Sequence, residues 1–521
     1  MSRWKALALL LISACKTVPV TPRSVLEALA ASPSAHLDGV PLALGNAVTL
    51  NREDFVYDAK LSNDGKRAAV SRLGMKSFHV SLHDAVTGAR ASDTAINPLE
   101  FDVDALEFSP DGKLVAAVSR DGALRLYDTA TGTLSSQWLT EEPLVSVAWN
   151  ASGSLLAVGS AKGLVTVVSF PQLEHVDETR AHADEVRALA FTPSGELVSG
   201  SWDQRLVMLQ VGEVPAAREV RAHVTKKNGL VTFRAVLDRS ASATLALDQR
   251  APMVVVKPAL AQAAGIDALA LTETVRVPTA FGDQVAKVAR NRQLSVKNLT
   301  FSGIDVAVCE ACVPPDAQGV FGGPLLSALQ LAFDDAAGEM VISAKADAAN
   351  VSLSSGRSLI VARSYTMPAP VNDFALDASG TIAGVAFSET KSERTKAVYD
   401  REKKGEVEPA REWDCGARVS LSDGKVLEKK FGHRGVVASA AVSPDGKTLV
   451  TGGWDKKIIL HGATDAVDDK SGWAVRRVRF SRDGRWIVAA AWTPQNPLGD
   501  HQSDPSARVF EVIYGPDALV K

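Results

Sequence analysis

The stretch Ala105-Leu106-Glu107-Phe108-Ser109-Pro110-Asp111-Gly112-Lys113-Leu114-Val115-Ala116-Ala117-Val118 decides the fold. Apolar residues alternate with polar ones up to Phe108 and run uninterrupted after Lys113, the pattern of a half-buried strand followed by a buried one. Between them lies a polar turn ending in glycine, of the kind that joins antiparallel strands. The turn recurs at Ser62-Asn63-Asp64-Gly65, Asn150-Ala151-Ser152-Gly153 and Thr192-Pro193-Ser194-Gly195. It returns at Asp377-Ala378-Ser379-Gly380, Ser443-Pro444-Asp445-Gly446 and Ser481-Arg482-Asp483-Gly484. The seven terminal glycines are 47, 41, 42, 185, 66 and 38 residues apart. A period near forty with four short strands per unit predicts an all-β propeller, and seven turns predict seven blades. The last unit supplies Val475–Phe480, Trp486–Trp492 and Arg508–Ile513, but its tail is a poor outer strand. Ala47–Asn51 is therefore expected to complete that blade and remove the open edge.

Composition narrows the function classes. The chain has 521 residues, 46% of them apolar and 22% charged, enough to bury a large core. With 57 basic against 60 acidic residues it lacks the basic excess of a nucleic-acid binder. Its 4 cysteines exclude a disulfide-dense scaffold.

The repeating units resemble WD40 repeats. Ala181-His182 with Val186, and Gly432-His433 with Val437, match the Gly-His opening. Tyr127-Asp128 and His83-Asp84 take the closing Trp-Asp position. Trp202-Asp203 and Trp454-Asp455 align instead with the tight turn between second and third strands, where the Asp is expected to cap the turn. The resemblance implies that connections between blades and connections between second and third strands emerge on one face. Expansions at Ser388–Trp413 and Thr493–Ser506 belong to the second class. That rim is expected to bind a protein or peptide partner.

The N-terminus reads as a secretory signal: Arg3 and Lys5, the apolar run Ala6–Ile12, then Ser13-Ala14-Cys15. Ile12-Ser13-Ala14-Cys15 resembles the lipobox of bacterial lipoproteins. The resemblance implies cleavage before Cys15, lipidation of its thiol, and anchoring in a bacterial cell envelope. Lys16 following the cysteine favours the outer over the inner membrane. The reading divides the chain into 1–15 signal peptide and lipobox, 16–35 tether, 36–223 blades one to four, 224–365 insert, and 366–521 blades five to seven.

The 185-residue interval exceeds one blade by roughly 140 residues. The surplus is expected to begin after His223, with Arg218–Arg221 as the outer strand of blade four, and so to lie between blades four and five. All three expansions would then share one rim. Within the surplus, Leu245-Ala246-Leu247-Asp248 precedes Met253–Val256 and a short helix, Ala259–Gly265. Leu294–Leu299, Ile304–Val308, Gly319-Val320-Phe321-Gly322-Gly323-Pro324-Leu325-Leu326 and a final hairpin follow. This order resembles a small barrel-like domain of the retropepsin-like aspartic peptidases. The resemblance makes Asp248 the catalytic position and implies a homodimer through the insert, since the chemistry needs two carboxylates sharing a proton. Gln249 and Arg250 stand where that family has Thr and Gly. An arginine there crowds the cleft and depresses carboxylate pKa values.

Cys309-Glu310-Ala311-Cys312 has no second ligand pair nearby, so a loop disulfide is expected in an oxidising envelope, and no metal. Cys415 is expected to be a buried hydrophobe. No serine-hydrolase elbow or phosphate-binding loop motif occurs, and no cofactor is expected. The leading expectation is an interaction scaffold whose peptidase-like insert is inactive. The alternatives are an aspartic endopeptidase using Asp248, and binding of a small molecule or glycan in the propeller channel.

Overall fold

The computed structural model describes residues 41–51, 55–73, 78–96, 103–214, 219–227, 229–279, 282–335, 338–345, 351–353, 356–388, 414–461, 467–468, 474–492 and 507–514. The signal segment with Cys15, the 16–35 tether and the expansions at 389–413 and 493–506 lie outside these residues.

Each of the seven turns does the same physical work. Gly65, Gly112, Gly153, Gly195, Gly380, Gly446 and Gly484 all have φ between +66° and +91°, the left-handed region that a Cβ disfavours. Where the turn opens with serine and continues to Asp, the hydroxyl donates to that carboxylate, at 2.7 Å for Ser109 and Asp111. The Leu114 N–H then donates back to Ser109 Oγ at 2.9 Å, so the strand direction is fixed before any blade packs. The result is seven four-stranded antiparallel sheets. Their innermost strands are Phe55–Leu61, Val103–Phe108, Leu144–Trp149, Val186–Phe191, Val371–Leu376, Val437–Val442 and Ala474–Phe480. The ring closes as expected: Pro41–Asn51 pairs antiparallel with Ala507–Tyr514, making both chain ends part of blade seven.

Blade four corrects the sequence reading. Its outer strand is Gly356–Thr366, paired with Arg205–Val214 over ten positions from Arg205↔Thr366 to Val214↔Gly356. The expected outer strand, Arg218–Arg221, falls instead on the Glu219–Lys227 strand, which pairs with Leu230–Leu237 and Glu339–Ala344 inside the insert. The insert therefore leaves blade four between its third and fourth strands, not between blades four and five. It joins the opposite class of connection from the expansions in blades five and seven, so the three do not converge through one rim. The physical reason lies in blade three. Asp177 on its outer strand His175–Arg180 accepts from Ser358 Oγ at 2.6 Å and Leu359 N at 2.8 Å, which seats the 356–366 strand beside it.

The insert is one continuous sheet curled on itself. The spatial order runs Thr274–Val277, Gln284–Val296, Leu299–Val308, Val254–Val256, Gly319–Gly322, Ala241–Asp248, Leu230–Leu237, Glu219–Lys227, Glu339–Ala344, Leu329–Asp334. A further pairing of Val236 and Leu237 with Ser295 and Leu294 closes the barrel. Phe321 fills its centre, edge-on to Phe233 and Phe301 at centroid separations of 5.6 and 5.4 Å. The helix, Pro258–Ala263, covers one end and stops at Gly265, whose φ is +72°.

The insert lies along the flank of blade three. Arg234 donates to Glu178 through Nε at 2.6 Å and Nη2 at 3.0 Å. Lys297 Nζ donates to Asp177 at 2.9 Å, and Trp138 Nε1 donates to the Ser240 carbonyl at 2.6 Å. Thr244 N donates to Glu141 Oε1 at 2.8 Å, near the end of the blade where Leu144–Trp149 begins.

Candidate functional site

The loop after Asp248 turns back into Val254–Val256, and Gly319–Gly322 runs between the two limbs. It is parallel to the first, with Asp248 opposite Gly322, and antiparallel to the second. Backbone oxygens crowd this thread. A Cβ on Gly322 would meet the Met253 carbonyl at 2.1 Å, and one on Gly323 would meet that of Gln249 at 2.5 Å. The glycines of the second signature are thus a steric necessity of the loop crossing. The structure brings Asp248 and the Gly319–Leu326 segment together as the resemblance implies.

What it places on Asp248 is a cation. Arg250 donates to Asp248 Oδ1 through its backbone N at 2.9 Å and Nε at 3.1 Å, and to Oδ2 through Nη2 at 3.2 Å. Partial burial, the largest influence, pushes the carboxyl up. The hydrogen bonds and charge of Arg250 outweigh it and hold Asp248 below the usual carboxylate range. A shared-proton dyad needs the opposite, a carboxyl that retains its proton. The guanidinium also occupies both oxygens that would hold a nucleophilic water.

A second constellation lies at the channel mouth, where the inner strands begin. Arg476 of blade seven reaches Asp104 of blade two at 3.4 Å and packs over the Tyr57 ring of blade one at 5.1 Å. Arg120, in the turn between second and third strands of blade two, bridges Asp104 at 3.2 Å and Glu185 at 3.1 Å. Glu185 pairs with Arg187 of blade four, whose guanidinium lies 4.8 Å over the Trp202 ring. Trp202 Nε1 donates to Asn372 of blade five at 2.9 Å. Burial, the dominant influence on both, pushes the Asp104 carboxyl above its ordinary value and the Arg476 guanidinium below its own. Buried charged groups shifted from their ordinary values and gathered from several blades are a pattern found at functional sites. Sequence reasoning missed this cluster because its members come from five blades; the signal it carried was arginine beside tryptophan at blade edges.

Deeper along the axis the channel is occupied. Arg477 Nη1 donates to the fully buried Asp373 at 2.7 Å and its Nε lies 3.3 Å from Asp58. Arg479 takes both oxygens of Asp373 at 2.6 Å. A ligand threading the axis would have to displace this network.

The Trp-Asp pairs serve as turns. Asp203 accepts from His182 Nδ1 at 3.0 Å while His182 Nε2 contacts Ser199 Oγ at 2.8 Å. In blade six Asp455 accepts from His433 Nδ1 at 2.7 Å, and Thr451 Oγ1 lies 2.8 Å from both His433 Nε2 and His461 Nε2. With His433 donating to Asp455, its Nε2 must accept the Thr451 proton, so His461 donates to the same hydroxyl. Burial, with His433 and Lys430 adding to it, pulls His461 down to about 3. These histidines are structural.

Cys309 and Cys312 form a disulfide across 5.4 Å between Cα atoms. Cys415 is buried, its thiol pushed up to about 11 by burial, which suits packing and not nucleophilic attack. Among the described residues no group of His, Cys, Asp and Glu has metal-site geometry, and no helix is long and apolar enough to cross a membrane.

A family model described as "Aspartyl protease" matches residues 224–325, and one described as "WD domain, G-beta repeat" matches 99–128, 173–208 and 424–461. The chain thus combines WD40 repeats in a seven-bladed propeller with an aspartyl protease-type domain. It is similar to "Telomerase protein component 1" of Mus musculus, 27% identical over 192 residues, covering 35% of this chain and 7% of that protein. It is 34% identical over 128 residues to the "Poly(A)+ RNA export protein" of Schizosaccharomyces pombe, covering 23% of this chain and 36% of that one. "WD repeat-containing protein SL1-17" of Schistosoma mansoni is 27% identical over 153 residues, covering 29% and 49%. The matched segments span less than half the length of each of these relatives. A chain of the "Crystal Structure of Mitotic Checkpoint Complex" aligns with a TM-score of 0.46 at 12% identity, covering 93% of this chain and 95% of that one.

Proposed function

We propose that this protein is an envelope-anchored interaction scaffold: a propeller that binds a protein or peptide at its channel mouth and carries a peptidase-like domain that does not cut. The observation that carries the reading is the Tyr57–Arg476–Asp104–Arg120–Glu185–Arg187–Trp202 constellation. Arginine and aromatic side chains packed together are the groups that dominate protein interfaces. A propeller offers such a partner a rigid scaffold from which loops can carry the contacts.

Two further elements of the reading have their own support. Non-catalytic status rests on the Arg250 clamp over Asp248. A peptide library incubated with residues 16–521 at roughly pH 4 to 7, where a carboxylate dyad shares its proton, is expected to yield retained sequences and no cleaved ones. Trp202→Ala should lose the retention, and Asp248→Asn should change neither outcome. Cleavage abolished by Asp248→Asn would instead establish the aspartic endopeptidase, acting as a homodimer through the insert. Anchoring rests on the lipobox-like Ile12–Cys15 segment. Cells fed an alkyne fatty acid should label the full chain and leave its Cys15→Ser variant unlabelled; equal labelling of both would remove the anchor from the reading.

A further inference from the structure

Where the insert meets blade three, a cleft of about 350 Å³ opens between the two bodies. The propeller contributes Glu141, Glu142 and Lys162; the insert contributes Thr244, Lys257 and Gln318, with Pro315 to Ala317 and the first turn of the helix as its floor. That volume suits a small molecule. The lining is polar, and its acceptors and donors are unequally committed.

Every carboxylate in the cleft has a partner. Glu142 accepts from Ser160 Oγ at 2.5 Å and from Arg180 Nη2 at 2.9 Å. Glu141 accepts from Thr244 N at 2.8 Å, with Arg234 Nη1 3.9 Å from its other oxygen. Asp316 pairs with Lys227 at 3.5 Å, outside the cleft. The cationic side is different: among the described residues the ammonium groups of Lys162 and Lys257 lie within ion-pair distance of no carboxylate. The Gln318 amide, on the same wall, also has donors to offer.

Both lysines are held at the backbone. Lys162 sits in the tight turn between second and third strands of blade three, its N–H donating to Ser160 Oγ at 3.1 Å. The next residue, Gly163, has φ +86°, and a Cβ there would meet the His182 carbonyl at 2.0 Å, so the turn has one shape. Lys257 N donates to the Gln318 carbonyl at 2.8 Å, which fixes the entrance of the helix. A concave site that draws an ammonium group without a carboxylate partner from each of two bodies, both on fixed backbone, suits a small molecule with more than one negative oxygen.

We propose that this cleft binds a small multivalent anion, a di- or tricarboxylate or a phosphate, gripped by Lys162 from the propeller and Lys257 from the insert. Since each lysine belongs to a different body, the bound anion adds a link between them. The site is separate from Asp248 and from the channel mouth and does not depend on the function proposed above.

The test is calorimetric titration of residues 16–521 with citrate and with inorganic phosphate, in low-chloride buffer near pH 7. Saturable one-to-one binding of either probe is expected, and Lys162→Gln and Lys257→Gln should each weaken it about tenfold, the scale of one charge-assisted hydrogen bond. Both variants should melt as the parent does without the probe, because among the described residues neither side chain has a carboxylate partner to lose. Which probe binds more tightly separates carboxylate from phosphate recognition. A short peptide with a free C-terminus and its amidated twin form the remaining arm. Binding confined to the free-carboxyl peptide would overturn the small-anion assignment. So would the absence of saturation by citrate or phosphate at about ten millimolar, a weaker affinity than a pair of charge-assisted contacts supports, or binding indifferent to both substitutions.

Discussion

Asp373→Ala is expected to destabilise the propeller by about 3–5 kcal/mol, the cost of removing one partner from a buried ion pair. Asp373 is fully buried on the inner strand of blade five and receives Arg477 at 2.7 Å and Arg479 at 2.6 Å, with Ser439 Oγ of blade six also donating to it. Burial is the largest influence on its carboxyl and would raise it. The Arg477 and Arg479 charges prevail and keep it below the ordinary carboxylate value. Without the carboxylate, two guanidiniums only 6% and 12% exposed lose their main counter-charge, and Arg477 keeps Asp58 alone at 3.3 Å. The network joins blades five, six, seven and one, across the seam where the chain ends meet. Urea unfolding followed by tryptophan fluorescence would read the loss. Adding Arg479→Met to Asp373→Ala should recover part of it, since one buried charge is then removed. A midpoint shift equivalent to less than about 1 kcal/mol, the range of exposed pairs, would mean that water reaches these charges.

Much of this architecture is legible in the sequence because its turns are local. Gly112 needs a left-handed backbone and Ser109 reaches Asp111 two residues away, so seven copies of one short pattern announce seven blades. The glycines at 319, 322 and 323 are legible for a related reason: each marks a place where another backbone passes too close for a Cβ. Blade four's outer strand was not legible. Residues 219–227 alternate and so read as a strand, but the strand seated beside blade three is 356–366, held by Asp177, 181 positions before Ser358. The channel-mouth cluster joins Tyr57 to Arg476, and the cleft joins Lys162 to Lys257; no window of sequence contains either pair. Arg250 was the exception among site residues. Because it lies two positions from Asp248, its charge could be read from the sequence as depressing that carboxylate, and its guanidinium lies against both oxygens.

Arg234→Met should loosen the insert from blade three by about 3–5 kcal/mol, again by stranding one partner of a buried pair. Glu178 is 7% exposed and accepts at both its oxygens from donors of the insert: Arg234 at 2.6 and 3.0 Å and Ser242 Oγ at 2.9 Å. Burial, the largest influence, would raise its pKa; the Arg234 charge and hydrogen bonds, with His175 Nε2 3.4 Å away, instead hold it well below the ordinary value of 4.5. The sign of the pH dependence follows. A carboxyl whose folded pKa is depressed contributes its stability fully above the unfolded value and loses it as pH falls below that value toward the folded one. Docking of the insert in the parent protein should therefore hold at neutral pH and weaken progressively below about pH 4.5, the unfolded carboxyl range. In Arg234→Met the largest opposing charge is gone and burial weighs more heavily, so the Glu178 pKa rises and mild acid should partly restore docking. Glu178→Gln combined with Arg234→Met should recover most of the loss at neutral pH, because no charge is left buried. Hydrogen exchange of Leu230–Leu237 and His175–Arg180 at pH 7 and pH 5 would measure all three chains. Faster exchange in Arg234→Met at pH 7 that narrows at pH 5, after correction for intrinsic rates, is the expected pattern. Equal protection in Arg234→Met and the parent would place the hold elsewhere along the flank, at Lys297 and Trp138.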